Sequence, residues 1–316
     1  MKQDEVNNID LETLAGSFGV SPNLINHGTA DLIAKTDLRF RPVVGVELEN
    51  LILEVLHRIE ADSQVVGAPE RKERWQNGWS ENLHELYSSG DENSSLVPKF
   101  IRPGAPIRWM QRYVRTEDPL FELNYVKILR SWFANQFFSE FENIYEFGCG
   151  TGFNLLEISK IFPQKKFFGS DFVEASVEIV RTLASKHKPI KAGQVFDMLR
   201  PDPSYEILAN SAVFTFGAIE QLAGDIDPIF EFFLESKGEL FLHIEPEADF
   251  YDQKNLFDHL AYKFQTKRGY SRGLSRKLRE LELAGRLQII DSRRLFFGSL
   301  FMEGYNLFVW KPRRSA

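Results

Sequence analysis

Apolar positions recur at helical spacing in 46–61, where Val46, Leu48, Leu51, Ile52, Val55, Leu56 and Ile59 fall on one face. The roughly 20 residues at the start of the chain are polar and predict a mobile segment. The Gly/Ser/Asp/Asn patch at 88–95 predicts a loop. Pro98, Pro103 and Pro106 keep 96–107 irregular or extended. Pro119 suits the start of a helix running from about Leu120 to Phe138. The N-terminal third is therefore predicted as mostly helix and loop.

From 143 the rhythm changes. Strands are predicted at Ile144–Phe147, Lys166–Ser170, Ile190–Phe196, Ser211–Phe216 and Gly238–Ile244, with helices at Phe153–Phe162, 173–187, Ile226–Leu234 and 273–284 between and after them. Alternation of this kind implies a parallel sheet with both faces covered. Leu287–Arg293 and Tyr305–Trp310 follow without a helix between them, so they can pair antiparallel at the sheet edge. The fold class is α/β, a doubly wound, mostly parallel seven-stranded sheet. It divides the chain into a helical and irregular extension over 1–139 and a sheet domain over 140–316.

Composition narrows the setting. With 43% hydrophobic and 26% charged residues, the chain is of ordinary globular type. The longest apolar runs are far short of the ~20 residues needed to span a bilayer. The acidic, polar N-terminus resembles neither a signal nor a transit peptide. A lone cysteine, Cys149, leaves no internal disulfide or cysteine-based zinc site, consistent with a reducing, cytoplasmic setting. The net charge of −7 argues against bulk nucleic-acid binding.

The stretch Tyr145-Glu146-Phe147-Gly148-Cys149-Gly150-Thr151-Gly152 carries a strand into a glycine turn and then a helix. Such a turn lies where open α/β sheets bind nucleotides. The glycines at 148, 150 and 152 depart from the dinucleotide pattern G-x-G-x-x-G, since position 153 is Phe. Glu146, two residues before the first glycine, would repel a pyrophosphate and favour a ligand with an ammonium and a sulfonium. The second strand ends in Asp171, a carboxylate suited to ribose hydroxyls. The third ends in Asp197-Met198, suited to an adenine edge and face.

EFGCGTG, GSD and FDM together resemble the class I S-adenosylmethionine-dependent methyltransferases, over about 140–312. The resemblance implies S-adenosylmethionine as cofactor, with Gly148, Gly150 and Gly152 along its methionine part and Glu146 near the amino group. It places Asp171 at the ribose and Asp197 with Met198 at the adenine, with Phe172 among the cofactor-binding residues. Many small-molecule members carry Glu-His where this chain has Glu220-Gln221. Trp75–Leu83, Val97–Phe100 and Tyr270–Leu274 are similar to sugar methyltransferases of bacterial surface-polysaccharide pathways, in which Trp75, Trp79 and Trp109 would stack on sugar rings.

The acceptor side is expected over the ends of the fourth and fifth strands. Its candidate catalytic groups are His243, Glu245 and Glu220, against the alternative that His243 is a hydrogen-bonded core residue and that Glu245 caps the following helix. No metal-ligand spacing accompanies them. Lys99–Arg115 holds five basic residues and no acid, and Lys263–Arg279 holds seven and none. The pair suggests a small anionic acceptor, such as a sugar or nucleotide sugar. Three readings stay open: O-methyl transfer to such an acceptor, a non-catalytic cofactor-binding partner subunit, and an RNA or protein methyltransferase. A homodimer is compatible with each.

Overall fold

The computed structural model describes residues 6–67, 70–99 and 101–314. A two-residue strand, β1 (Asn7–Asn8), leads into α1 (Leu11–Phe18). The Asp10 carboxylate caps α1 by accepting from the Thr13 amide, and Gly19 closes it at φ 65°. Next come α2 (His27–Lys35), β2 (Arg39–Pro42), α3 (Gly45–Ala61), α4 (Arg71–Ser89) and α5 (Glu92–Ser95). A hairpin of β3 (Ile107–Trp109) and β4 (Arg112–Thr116) precedes α6 (Phe121–Phe137).

The sheet domain runs β5 (Asn143–Phe147), α7 (Phe153–Ile161), β6 (Lys166–Asp171), α8 (Glu174–Lys186), β7 (Ile190–Val195), β8 (Ser211–Phe216), α9 (Asp227–Glu235) and β9 (Leu240–Glu245). It ends with α10 (Leu256–Arg268), α11 (Leu274–Leu283), β10 (Leu287–Arg293), β11 (Phe297–Gly298) and β12 (Asn306–Pro312). The seven-stranded sheet has the order β10-β12-β9-β8-β5-β6-β7. Its last five strands in that order are parallel, and β12 pairs antiparallel with both β9 and β10. This is the doubly wound, Rossmann-like arrangement the sequence predicts, including the antiparallel pair at the edge.

The extension differs from expectation. A second, antiparallel sheet, β1-β2-β4-β3-β11, runs through it, and its last strand comes from the far end of the chain. The β3–β4 hairpin turns through Met110 and Gln111, both at positive φ (47° and 57°). Two-residue hairpin turns of that geometry normally carry Asn-Gly or Asp-Gly, so the usual sequence signal is missing. The Met110 amide donates to the Phe296 carbonyl, which ties the turn to β11. Residues 6–20 are likewise built in: Leu14, Ala15 and Phe18 are buried, and Phe18 stacks on Trp132 at 4.4 Å. Residues 1–5 lie outside the described residues. At 88–95 the expected loop is the end of α4, a Gly90 cap and α5.

One core serves both parts of the chain. Leu14, Phe18, Ile33, Trp132 and Phe133 of the extension pack with Ile144, Leu155, Phe214, Leu242 and Leu307 of the sheet. On the opposite face, Phe230 and Phe233 of α9 pack with Phe241 and Trp310. The boundary near 139 thus divides the sequence but not the core. No helix among the described residues is long and apolar enough to cross a membrane.

Candidate active site

At the end of β5 the chain turns through Gly148, Gly150 and Gly152, at φ 71°, 52° and 69°, before α7 begins. The turn is held against β6. The Gly148 and Cys149 amides donate to the Ser170 carbonyl, and the Gly150 amide donates to Asp171 Oδ2 at 2.9 Å. The Ser176 hydroxyl donates to the Gly150 carbonyl. Cys149 is buried, and burial pushes its thiol well above the ordinary range, so it packs the turn as an inert group.

Asp171 first serves the turn itself. Its Oδ1 accepts from the Val173 amide at 3.2 Å, and burial raises its pKa to about 6. A carboxylate has about four acceptor positions, so capacity for a further donor remains. Phe172 beside it is half-buried. Asp197 Oδ1 accepts from the Leu199 amide, while Oδ2 takes two bonds from Arg200. Met198 is buried, and its Cε lies 3.5 Å from where a Cβ on Gly148 would sit. These residues gather at one end of the sheet, around the glycine turn.

The turn carries a second set of polar groups. Glu146 is 1% exposed. Its Oε1 accepts from Asn154 Nδ2 at 2.8 Å, and its Oε2 has no hydrogen-bond partner among the described residues. On the other side of Asn154, Arg130 of α6 donates through Nη1 to Asn154 Oδ1 at 2.8 Å, and its Nη2 is unpartnered in the same sense. Burial lowers Arg130 to about 10 and raises Glu146 to about 8. An unpaired buried donor or acceptor costs about 1–3 kcal/mol, more for charged groups. The arrangement fits a ligand that brings both a carboxylate and an ammonium. Arg130 lies outside every motif of the sequence, in a helix whose apolar pattern conceals it. Its signal is a lone arginine among Phe121, Tyr125, Ile128, Leu129, Trp132 and Phe133.

Helix α4 lies over the turn. The Trp79 ring comes within 3.0 Å of where a Cβ on Gly150 would sit, and Trp75 stacks on it at 5.1 Å. The segment is fastened along its length: the Ala175 amide donates to Gln76 Oε1, His187 meets Glu92 at 2.7 Å, and the Thr151 hydroxyl donates to the Leu96 carbonyl. Trp109, by contrast, is 4% exposed in the core and presents no face for a sugar. Phe100 lies outside the described residues.

His243 and Glu245 do share one face, but it is packed. His243 is 0% exposed, with Phe230 and Phe233 beside it. Its Nε2 accepts from Trp310 Nε1–H at 2.9 Å, so the neutral ring carries its proton on Nδ1 and donates to Thr215 Oγ1 at 3.0 Å. The Thr215 hydroxyl then donates to Glu245 Oε1 at 2.7 Å. Glu245 also accepts from the Ala218, Ile219 and Glu220 amides, and so pins the turn after β8. The expectation of a base at 243 and 245 is corrected: His243 is core, and Glu245 caps the turn after β8 rather than the helix that follows it. Glu220, in that turn, is half-buried and accepts from Gln221 Nε2 at 2.7 Å. Among the described residues no group of three or more His, Cys, Asp or Glu is placed to hold a metal.

Burial lowers His243 to about 3 from an ordinary 6.5. The stability it contributes is therefore present above pH ~6.5 and lost as pH falls towards ~3. His243→Gln is expected to flatten that acid slope. Urea unfolding of both proteins at pH 7 and pH 4.5 checks it; an unchanged difference between the two pH values removes the assignment.

The basic segments are partly neutralised. Lys99 pairs with Glu81 and Glu85, Arg115 with Glu47, Lys263 with Glu60, Arg268 with Asp62 and Lys277 with Asp227. Arg108 is fully buried over the Phe257 ring. Arg272, Arg276 and Arg279 stay exposed. The loop carrying Arg272 abuts the turn after β8: the Ser271 amide donates to the Glu220 carbonyl, and the Gly224 amide to the Ser271 hydroxyl.

No family model matches the chain. A curated relative, the malonyl-[acyl-carrier protein] O-methyltransferase of Bacillus cereus, is 31% identical over 71 residues, or 22% of this chain. The chain spans 26% of that relative's length. Among solved structures, the chain is similar to the [4+2]-cyclase SpnF (13% identity, TM-score 0.47, covering 75% of this chain and 95% of that one). It is also similar to geranyl diphosphate C-methyltransferase from Streptomyces coelicolor A3(2), which was solved with Mg2+, geranyl diphosphate and S-adenosyl-L-homocysteine (11%, 0.42, 73% and 97%). A third is a SAM-dependent methyltransferase from Aquifex aeolicus (15%, 0.39, 57% and 86%).

Proposed function

We propose that the chain is a class I S-adenosylmethionine-dependent methyltransferase that methylates a hydroxyl of a small anionic acceptor. The observation that carries this is the Arg130–Asn154–Glu146 line at the glycine turn, with one unpartnered donor and one unpartnered acceptor. An amino-acid-bearing nucleoside satisfies both: its carboxylate takes Arg130 Nη2, and its ammonium takes Glu146 Oε2. Asp171, with acceptor capacity left over from the turn, would take the ribose hydroxyls, and Met198 would offer an apolar face for the base. The sulfonium supplies an electrophilic methyl group, and the chain's part is to align the acceptor and exclude water. The short stretch shared with a methyltransferase supports the same reading. The exposed Arg272, in the loop against the turn after β8, suits an anionic acceptor such as a nucleotide sugar.

Calorimetry with S-adenosylhomocysteine and with adenosine tests the cofactor half. Arg130→Met is expected to weaken S-adenosylhomocysteine by about 10- to 100-fold, equivalent to about 1.5–3 kcal/mol, and to leave adenosine unchanged. Equal losses for both ligands, or no binding by wild type, defeats the reading. A pH dependence follows as well. Glu146 is raised to about 8, so at pH 7 much of it is protonated until an ammonium arrives. Binding at pH 7 is expected to release a proton and to tighten as pH rises from 6 towards 8. Glu146→Gln abolishes that release, which calorimetry in buffers of different ionisation enthalpy reads directly. The acceptor half is tested by incubating methyl-labelled S-adenosylmethionine with nucleotide sugars.

A further inference from the structure

With His243 and Glu245 committed to packing, the acceptor's proton needs another destination. Tyr305 immediately precedes β12, and Asn306 is registered opposite Glu245 at the end of β9. That places Tyr305 at the same end of the sheet as the glycine turn. Its ring packs against Phe216, the last residue of β8, at 5.7 Å, and its hydroxyl donates to Glu122 Oε1 at 2.8 Å. Glu122 stands in the first turn of α6, two turns before Arg130, and is 7% exposed. No ion pair to Glu122 is present among the described residues. The groups that act on Tyr305 are Glu122, Tyr125 and Arg130 of α6 and Glu220 of the turn after β8. A buried phenol–carboxylate pair therefore lies beside the last residue of β8, at the end of the sheet that carries the glycine turn.

We propose that Tyr305 receives the acceptor's hydroxyl proton during methyl transfer while passing its own proton to Glu122. Tyr305 is then the catalytic residue, and Glu122 is the positioning group that holds the proton behind it. This rests on the methyl-transfer reading above. The atoms balance. The acceptor oxygen forms a bond to the methyl carbon, and the methyl–sulfur bond breaks with its electron pair left on sulfur. The acceptor proton moves to Tyr305 Oη, and the phenolic proton moves to Glu122 Oε1. A sulfonium and a carboxylate become a thioether and a carboxylic acid, with no net charge left over. The phenol returns to its starting state, so its own high pKa is no obstacle: it never has to persist as phenolate. Burial raises Glu122 to about 7, against a smaller opposing effect of the Tyr305 hydrogen bond, which suits it to taking up a proton near neutrality.

The first test needs no acceptor. In protein labelled with 13C at the Glu side-chain carboxyl, the resonance that disappears in Glu122→Gln is Glu122. It is expected to titrate near pH 7, and to titrate higher in Tyr305→Phe, where the hydrogen bond that lowers it is gone. The second reads transfer of labelled methyl to nucleotide sugars against pH. Wild type is expected to show an acid limb near pH 7. Glu122→Gln and Tyr305→Phe are expected to lose about 100-fold in rate. Glu122→Gln should also lose the acid limb, and both should keep S-adenosylhomocysteine affinity within about threefold. A Glu122 resonance in the ordinary carboxylate range, or one indifferent to Tyr305→Phe, overturns the proposal while leaving cofactor binding intact. So does an acid limb that survives in Glu122→Gln. Wild type that fails to bind S-adenosylhomocysteine overturns the underlying reading and this proposal with it.

Discussion

Arg294→Met is expected to lower the free energy of unfolding by about 3–5 kcal/mol. The guanidinium stands between two carboxylates whose side chains are 0% exposed. It donates to Asp258 Oδ1 and Oδ2 at 2.5 and 2.9 Å, to Glu303 Oε1 and Oε2 at 2.8 and 2.5 Å, and to the Phe250 carbonyl at 3.1 Å. Burial alone would raise Asp258, but Arg294 and the Asp252 amide outweigh it and hold the carboxyl below its ordinary value. Removing the cation leaves two carboxylates buried without their counter-charge. The network also joins α10 to the segment before β11, so its loss loosens the attachment of the second sheet. Two measurements check the cause. Urea unfolding of Arg294→Met should recover stability as pH falls, because protonation neutralises the stranded acids. Adding Asp258→Asn and Glu303→Gln should restore much of the loss at pH 7. A variant as stable as wild type at pH 7 would show that the pair of ion pairs contributes little.

Gly148→Ala is expected to weaken S-adenosylhomocysteine by about 1,000-fold. At φ 71° an L-residue costs about 1–2 kcal/mol. A Cβ there would stand 2.4 Å from the Ala218 Cβ, and relieving such overpacking costs about 1–3 kcal/mol more. That contact cannot yield cheaply, because the Ala218 amide is held by its hydrogen bond to Glu245 Oε1. The turn must move, and with it the peptide that faces the ligand. Gly16→Ala is the control: Gly16 has open space around its Cβ position and is expected to gain about 0.5–1 kcal/mol. Calorimetry decides the matter, and wild-type affinity in Gly148→Ala would place the ligand elsewhere.

The parallel sheet was legible because most of its strands are compact apolar runs bounded by turn residues. Ser211–Phe216 has the same limits in sequence and structure. The helix at 256–268 was passed over although it carries its own marks. Asn255 caps it, Gly269 closes it at φ 67°, and Phe257, Leu260, Ala261 and Phe264 follow helical spacing. Its Lys263, Lys267 and Arg268 drew the reading towards ligand binding, whereas Lys263 and Arg268 pair with Glu60 and Asp62 at the end of α3, a distant stretch of chain. The glycine turn and Glu146 were readable for the opposite reason: every residue that makes the turn is contiguous.

The sequence by itself determined the succession of strands in the seven-stranded sheet, the place of the glycine turn, and the carboxylates that follow it. Local spacing and backbone freedom are properties of neighbouring residues, and these were enough. Tertiary structure decided which polar groups are committed and which are left open. His243 reads as a base until Trp310 and Thr215 close around it. Arg130 reads as a helix residue until Asn154 sets it opposite Glu146. Tyr305 and Glu122 are 183 residues apart and meet only because β12 returns beside β9. Desolvation and hydrogen-bond partnership depend on what surrounds a group in space, and no pattern along the chain encodes that.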